Sequence, residues 1–296
     1  MKTIARKIVS GLLGFLPGGA PEWLYATLFR GPLGKLGNPL IRMLLPNVAR
    51  IPEGDIVLNP ADAAVSGALA FGAFEPFETE LFRQTIKEGM MVIDVGANIG
   101  YYTVIAARLA GNTGRVLAFE PAPQNFAVLQ KTIAANRFQN VDAHMLAVAN
   151  KKGVLNLNLY ESNQGRHSLV KDSTVAKGFT TSIQVHTVSL DEFLAENGIS
   201  RVDVIKMDIE GAESIALLGM SEALKKARIM FLEFTPSAIK KAGHDPREVL
   251  VQLRDFGFTI SVIDERRKMR VMAADDARLV DSIPGIECVN LYCAKV

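Results

Sequence analysis

The segment "MMVIDVGANIGYYTVIAARLA" (90–110) constrains this chain more than any other. From Met90 to Val95 every residue but Asp94 is apolar, the pattern of a strand buried on both faces. Gly96 and Gly100 frame a tight bend, and apolar residues then recur at helical spacing. Strand, glycine bend and helix in succession open a βαβ unit, which commits the chain to a parallel sheet covered by helices.

The same alternation continues along the sequence. A helix at 74–86 precedes the first strand, and strands are expected at 115–120, 141–148, 202–208 and 228–234. Between them lie helices at 123–136, at "DEFLAEN", through "AESIALLGMSEALKKA" and at "PREVLVQLRDF", with strands at "FTISVI" and "IECVNLYCAKV" closing the chain. Residues 149–188 break the pattern: "VLNLNLY" and "SIQVHTV" read as an inserted hairpin whose polar linker forms a loop. Residues 1–70 are rich in Gly and Pro and read as an appendage with short helices, ahead of a main domain at 71–296. With 296 residues, 49% of them hydrophobic, the chain is long enough for one large core plus such an appendage.

The net charge of +2 hides an uneven distribution: residues 1–50 carry Lys2, Arg6, Lys7, Arg30, Lys35, Arg42 and Arg50 against Glu22 alone. Ile4, Ile8, Leu12 and Phe15 share a helical face beside the first three of these cations. Gly11, Gly14 and Pro17 interrupt the run, and Pro21 after Ala20 spoils a signal-peptide cleavage site. The run is also too short to span a bilayer. Two readings stay open for residues 1–20: contact with a membrane surface, or packing against this protein or a twin subunit in a homo-oligomer. Cys288 and Cys293, five apart in an expected strand, should face opposite ways and stay as reduced core thiols. A cytoplasmic location is expected, at the inner membrane surface if the N-terminus binds lipid. No basic domain with interleaved aromatics is present, and "ERRKMR" (265–270) reads as a charged turn between strands, so no nucleic-acid partner is expected.

Ligands of open parallel sheets sit beyond the carboxyl ends of the strands. Those ends carry Asp94, Gly96, Asn98 and Gly100, then Glu120, then Asp208 and Glu210, with Glu233 on the fifth strand. A dinucleotide loop needs a third glycine and close phosphate approach, but Asn98 and Tyr101 occupy this bend, and no phosphate-loop motif occurs elsewhere. The bend and Asp94 suit a cationic group instead. Glu120 sits where a carboxylate accepts both hydrogen bonds of a ribose diol. S-adenosylmethionine combines a cation, a ribose and an adenine without phosphate. A purely structural strand-to-helix turn would also favour the glycines.

Beyond these residue-level arguments, "ETELFRQTIKEGMMVIDVGANIGYYTVIAAR", "RVLAFEPAPQNFAVLQKTIAAN", "SLDEFL" and above all "VDVIKMDIEGAE" resemble the FkbM-type methyltransferases, a family of S-adenosylmethionine-dependent enzymes. The likeness runs from about Glu75 to about Phe234. It implies a Rossmann-like class I methyltransferase fold, a doubly wound, mostly parallel seven-stranded sheet with an antiparallel last strand, and O-methylation of a hydroxyl on a sugar, polyketide or other small molecule. By position it places Asp94, Gly96, Asn98, Gly100 and Tyr101 in the cofactor loop, Glu120 on the ribose and Ala147 by the adenine. Lys206, Asp208, Glu210 and Glu213 match the second signature. Asn150 departs from the acidic residue common in the family.

Methyl transfer to oxygen needs an aligned acceptor, exclusion of water and a proton acceptor. Asp208, at a strand tip, is the first candidate for the base, and it also binds cofactor in the alternative reading. Lys206 shares a strand face with Val204 and Asp208 and must find a carboxylate, as a buried structural pair or as a catalytic group. His167, in the polar loop of the insertion, is a second candidate base, whereas His144, His186 and His244 read as packing or surface residues. Asp208, Glu210 and Glu233 offer oxygens to a divalent metal that the sequence permits but does not imply. Glu210 and Glu213 equally suit the start of a helix through its dipole. The expected function is O-methyl transfer to a small-molecule, sugar or lipid-linked glycan acceptor. The alternatives are a nucleic-acid methyltransferase and a non-catalytic S-adenosylmethionine-binding module.

Overall fold

The computed structural model describes residues 45–59, 65–160, 167–169, 179–273, 275–283 and 288–295. The amphipathic segment 1–20 and most of the insertion's linker lie outside the described residues, so the readings placed on them stay expectations. Strands are β1 (Val48–Ile51), β2 (Gly54–Val57), β3 (Met91–Val95), β4 (Arg115–Phe119), β5 (Val141–His144), β6 (Ala147–Val148), β7 (Gly153–Tyr160), β8 (Phe179–Val188), β9 (Val204–Met207), β10 (Ile229–Phe234), β11 (Phe258–Asp264), β12 (Met269–Met272) and β13 (Val289–Lys295). Helices are α1 (Val65–Ala70), α2 (Pro76–Thr85), α3 (Tyr101–Ala110), α4 (Pro123–Asn136), α5 (Leu190–Glu196), α6 (Glu213–Leu217), α7 (Ser221–Lys226), α8 (Pro236–Lys241), α9 (Pro246–Asp255) and α10 (Asp276–Ser282).

The central sheet has the order β12-β11-β13-β10-β9-β3-β4-β5. β5, β4, β3, β9 and β10 run parallel, and β13 inserts antiparallel between β10 and β11. These strands with β11 are the seven expected of the class I methyltransferase fold. An eighth, β12, pairs antiparallel with β11 across the charged "ERRK" turn and extends the edge.

Alternation along the central strands separates two apolar layers. Ile93, Ile205 and Leu232 face a core shared with α5, α6, α7 and α9, whereas Val92, Val204 and Phe231 face α2 and α3. The same parity carries Asp94, Lys206 and Glu233 onto the α2–α3 side. Pairing places Asp94 beside Lys206, and Lys206 beside Phe231, across three adjacent strands. Three ionisable residues thus arise on one face of a fully covered sheet. The position of α2 above them is fixed from outside its own sequence: Pro76 opens the helix, and the Glu265 carboxylate of the β11–β12 turn accepts from Phe77 N at 3.0 Å and Glu78 N at 2.8 Å.

Several boundaries differ from expectation. The strand expected at 141–148 splits: Met145 is exposed, and β6 joins a separate sheet of order β6-β8-β7, in which β7 and β8 form an antiparallel hairpin. The single helix expected at 212–227 becomes α6 and α7, because Gly219 lies too close to another segment for a side chain; a Cβ there would stand 2.2 Å from Ala149 O. The β1–β2 hairpin was not expected. It docks on α4, where Asn136 accepts from Asp55 N at 2.8 Å and donates to Asp55 O at 2.6 Å. It also docks on α2, where Arg83 grips the Glu53 carboxylate at 2.8 and 3.0 Å. Both cysteines are free, but only Cys293 is a core thiol; Cys288 precedes β13 and is exposed. No helix among the described residues is long and apolar enough to cross a membrane.

Candidate active site

At the carboxyl ends of β3, β4 and β9 the chain leaves a cleft of about 520 Å³ counting its mouth. Gly96, Asn98, Glu120, Ala147, His167, Asp208 and Glu210 all line it. Strand-end positions singled out Gly96, Asn98, Glu120, Asp208 and Glu210, the family resemblance added Ala147, and the polar loop of the insertion added His167; the fold brings them together.

The bend after β3 is fixed by its backbone. Gly96 N and Ala97 N donate to Phe119 O at 2.9 and 3.0 Å, tying the bend to the end of β4. Gly96 sits at φ 86, and a Cβ on it would stand 1.9 Å from Asp208 O. No other residue fits between β3 and the turn after β9. Asn98 adopts φ 50, a left-handed conformation that asparagine tolerates better than most. This explains asparagine in place of a third glycine. Its amide N donates to Glu120 Oε2 at 2.9 Å, while Ala122 N donates to Glu120 Oε1 at 2.9 Å. Both oxygens are therefore oriented by backbone and keep further lone pairs for a diol. Burial pushes the Glu120 carboxyl up to about 7, against the pull of these two N–H donors. Gly100 caps α3 in the left-handed region.

Asp94, Gly100, Tyr101 and Lys206 do not line this cleft. Asp94 is buried behind the bend, accepting from the Thr103 hydroxyl at 2.6 Å. Burial raises its carboxyl to about 6, with the Thr103 hydrogen bond and the Lys206 cation opposing. Tyr101 packs edge-on against Phe74, its hydroxyl 3.2 Å from Thr79 Oγ1. Lys206 is 1% exposed, 3.2 Å from Glu78 Oε1, 3.9 Å from Asp208 Oδ2 and 4.9 Å above the Tyr102 ring. Burial works against its charge, but Glu78, Asp208, Glu75 and Glu233 together raise its pKa, so it stays an ammonium.

Those acids were only partly visible in the sequence. Glu75 and Glu78 belong to the start of α2, and nothing in their local pattern distinguishes them from surface helix residues. Glu75 accepts from the Tyr102 hydroxyl at 2.8 Å and from Asn290 Nδ2 at 3.0 Å. Burial raises Glu75, and it raises Glu78 to about 8, with the Lys206 cation opposing and the neighbouring carboxylates adding to the rise. Asp208 is the member of this group that reaches the cleft, half-buried at its rim. Glu210 occupies a left-handed conformation (φ 52), its carbonyl accepting from the Ser168 hydroxyl at 2.7 Å. That bond joins the insertion to the turn after β9. Glu213, fully buried, accepts from Gly211 N at 3.0 Å, and burial pushes it up to about 7, so it braces the same turn. His167 lines the cleft, and burial pushes its imidazole down to about 4. Asn150 is exposed and absent from the cleft wall, whereas Leu146, Ala147, Val148 and Leu157 give that wall an apolar side fit for an adenine.

Strand order, antiparallel β13 and a cleft at the carboxyl edge beside a glycine bend are those of the class I, S-adenosylmethionine-dependent methyltransferases. The residues fit that cofactor: Asn98 Oδ1, on the cleft wall, is buried without a partner among the described residues, and the Glu120 oxygens keep lone pairs beyond their two backbone N–H donors. The family described as "Methyltransferase FkbM domain" matches residues 94–260, more than half of the chain. The chain belongs to the FkbM-domain methyltransferases. It is 31% identical over 146 residues to "Methyltransferase 1" of Beauveria bassiana, covering 44% of this chain and 58% of that protein. It is 28% identical over 202 residues to "31-O-demethyl-FK506 methyltransferase FkbM" of Streptomyces tacrolimicus, covering 59% and 75%. To "Hexuronic acid methyltransferase AglP" of Haloferax volcanii it is 27% identical over 169 residues, covering 57% and 63%. The matched stretch thus spans less than two thirds of the first and third of these relatives.

Proposed function

We propose that this protein transfers the methyl group of S-adenosylmethionine to a hydroxyl oxygen of a small-molecule or glycan acceptor. The observation that carries the reading is the cleft itself, with Glu120 oriented by two backbone N–H groups on one side and Asp208 at the rim on the other. The names of two relatives, a 31-O-demethyl-FK506 methyltransferase and a hexuronic acid methyltransferase, support this reading, the first of them pointing to oxygen as the acceptor atom.

When bound, S-adenosylmethionine supplies a methyl carbon already activated by its sulfonium. Glu120 holds the ribose diol, and the Ala147 side receives the adenine. Asp208 accepts the proton that the acceptor hydroxyl loses as its oxygen bonds to that carbon and the carbon–sulfur bond breaks, leaving a neutral thioether. Lys206 positions Asp208 from beneath the sheet edge. His167, neutral near pH 7, helps close the cleft over the donor.

The test is calorimetry with S-adenosylmethionine and its demethylated product, followed by labelled-methyl transfer to a panel of uronate-bearing glycans and hydroxylated small molecules. Donor binding with label on oxygen is expected, and Asp208→Asn should keep donor binding while losing turnover. Absence of heat with both donor forms, or full activity in Asp208→Asn, would overturn the assignment. The basic segment 1–20 motivates a lipid-linked acceptor at a membrane surface. Removing those residues should weaken partition onto anionic vesicles; unchanged partition rejects that part.

A further inference from the structure

Three carboxylates converge where β9 and β10 end. Asp208, Glu210 and Glu233 each place an oxygen within 4.8 Å of the other two. Glu233 is only 8% exposed, and its Oε2 has no hydrogen-bond partner among the described residues. A buried carboxylate oxygen without a donor is costly unless a cation meets it. Lys206 does not fill that role for the trio: its nearest acid is Glu78, and Asp208 stands 3.9 Å away. Glu210 is held in its left-handed conformation beside Asp208 by the Ser168 hydroxyl. The local backbone is thus committed to keeping two acids side by side. Asp208 and Glu210 also line the cofactor cleft, so the trio stands where an acceptor must approach the donor.

We propose that Asp208, Glu210 and Glu233 bind one hard divalent cation of the Mg²⁺ or Mn²⁺ class, which holds the acceptor by its hydroxyl oxygens. Such ions take oxygen ligands from a few carboxylates and keep positions for water or substrate, which matches three acids from two strand ends opening on a cleft. The role given to the acceptor rests on the methyl-transfer reading above; the cation site does not.

The test titrates the full chain with Mn²⁺ alone, following the free-ion signal by electron paramagnetic resonance, without donor or acceptor. One Mn²⁺ per chain is expected, displaced by Mg²⁺, with affinity at least about tenfold weaker in Glu233→Gln and in Glu210→Gln. Asp142→Asn, at a surface pair with Arg115, should bind Mn²⁺ like the parent. Glu233→Gln alters a buried group, so Glu210→Gln, at a less buried position, decides if the former does not fold. No binding at millimolar Mn²⁺, or parent-like binding in Glu210→Gln, would overturn the proposal and leave the acids sharing protons instead. Calorimetry of the demethylated donor in the presence of a chelator separates the two readings. Heat without Mn²⁺ binding removes the cation site alone; absence of heat removes the methyltransferase reading.

Discussion

The bend after β3 and the charged seam around Lys206 lie on adjacent strands yet are held by opposite means. In the bend, Gly96, Ala97, Asn98 and Ala122 use backbone N–H groups, and each acceptor sits within one loop or its neighbouring strand end. In the seam, Glu75, Glu78, Asp208 and Glu233 surround one cation, drawn from α2, β9 and β10. The first arrangement is local, its backbone N–H groups paired; the second is assembled by tertiary structure and carries more acid than base. A ligand site built on the first is expected to be rigid, whereas the second depends on a single side chain. Lys206→Met should therefore have the largest effect on stability, about 3–5 kcal/mol, because it leaves buried Glu78 unpaired. Adding Glu78→Leu should recover most of that loss, since a buried pair replaced by apolar groups is often nearly neutral. Denaturant unfolding of the single and double variants checks this. Equal destabilisation in both would mean that the seam has no privileged pair.

Breaking the bend should cost less stability but all of the donor site. Gly96→Ala forces a Cβ toward Asp208 O at a φ that only glycine holds without strain, a strain of about 1–3 kcal/mol before the strand ends move apart. Heat from the demethylated donor should vanish while far-ultraviolet circular dichroism stays native. Retained donor affinity would show that backbone approach at Gly96 is not part of the cleft.

The same contrast separates what the sequence reveals from what it hides. Gly96, Asn98, Gly100 and Glu120 were legible because strand, bend and next strand end follow each other at short range. Strand parity likewise announced that Lys206 would need an acid. It did not name Glu78, since α2 reaches Lys206 only after Glu265 of a distant turn has anchored its N-terminus. The β1–β2 hairpin was hidden because its stability comes from Asn136, Thr132 and Arg83 rather than from its own short strands. The α6–α7 break arises from the close approach of Ala149 O to Gly219, which no helical period encodes. Asp94 looked like a site residue because it sits at a strand tip, but its parity turns it inward to Thr103.

The two regions should also differ in how they respond to pH. In the ligand-free fold Glu120 titrates at about 7, above its ordinary 4.5. The fold thus retains a proton that the unfolded chain gives up, and this group's contribution to stability falls as pH rises from about 4.5 to 7. Donor binding has the opposite dependence, since accepting both diol hydrogen bonds needs the carboxylate. Affinity should rise through neutral pH with release of close to one proton per ligand at about pH 6. Calorimetry in buffers of different ionisation heat measures that release. Glu120→Gln should abolish it and weaken binding roughly 10–100-fold, from about 1.5–3 kcal/mol of charged hydrogen bonding. Persistent proton release in Glu120→Gln would move the linkage to Asp94 or Glu213.

The smallest effect belongs to His167, and it decides which region supplies the base. With burial holding its imidazole at about 4, it is neutral at physiological pH and a poor sink for a hydroxyl proton. It sits one residue before Ser168, whose hydroxyl ties the insertion to Glu210 O, so its role is to cover the cleft. His167→Ala should thus lower kcat by less than about tenfold, below the roughly 10²–10⁴-fold of general acid–base catalysis, and raise KM for the donor by a similar factor. The pH profile should keep its shape if the proposed proton acceptor is Asp208 rather than His167. A loss of a thousandfold or more in kcat, with the acid limb of the profile displaced, would transfer the proton acceptor from the seam to the insertion. Asp208 would then be left as a positioning residue.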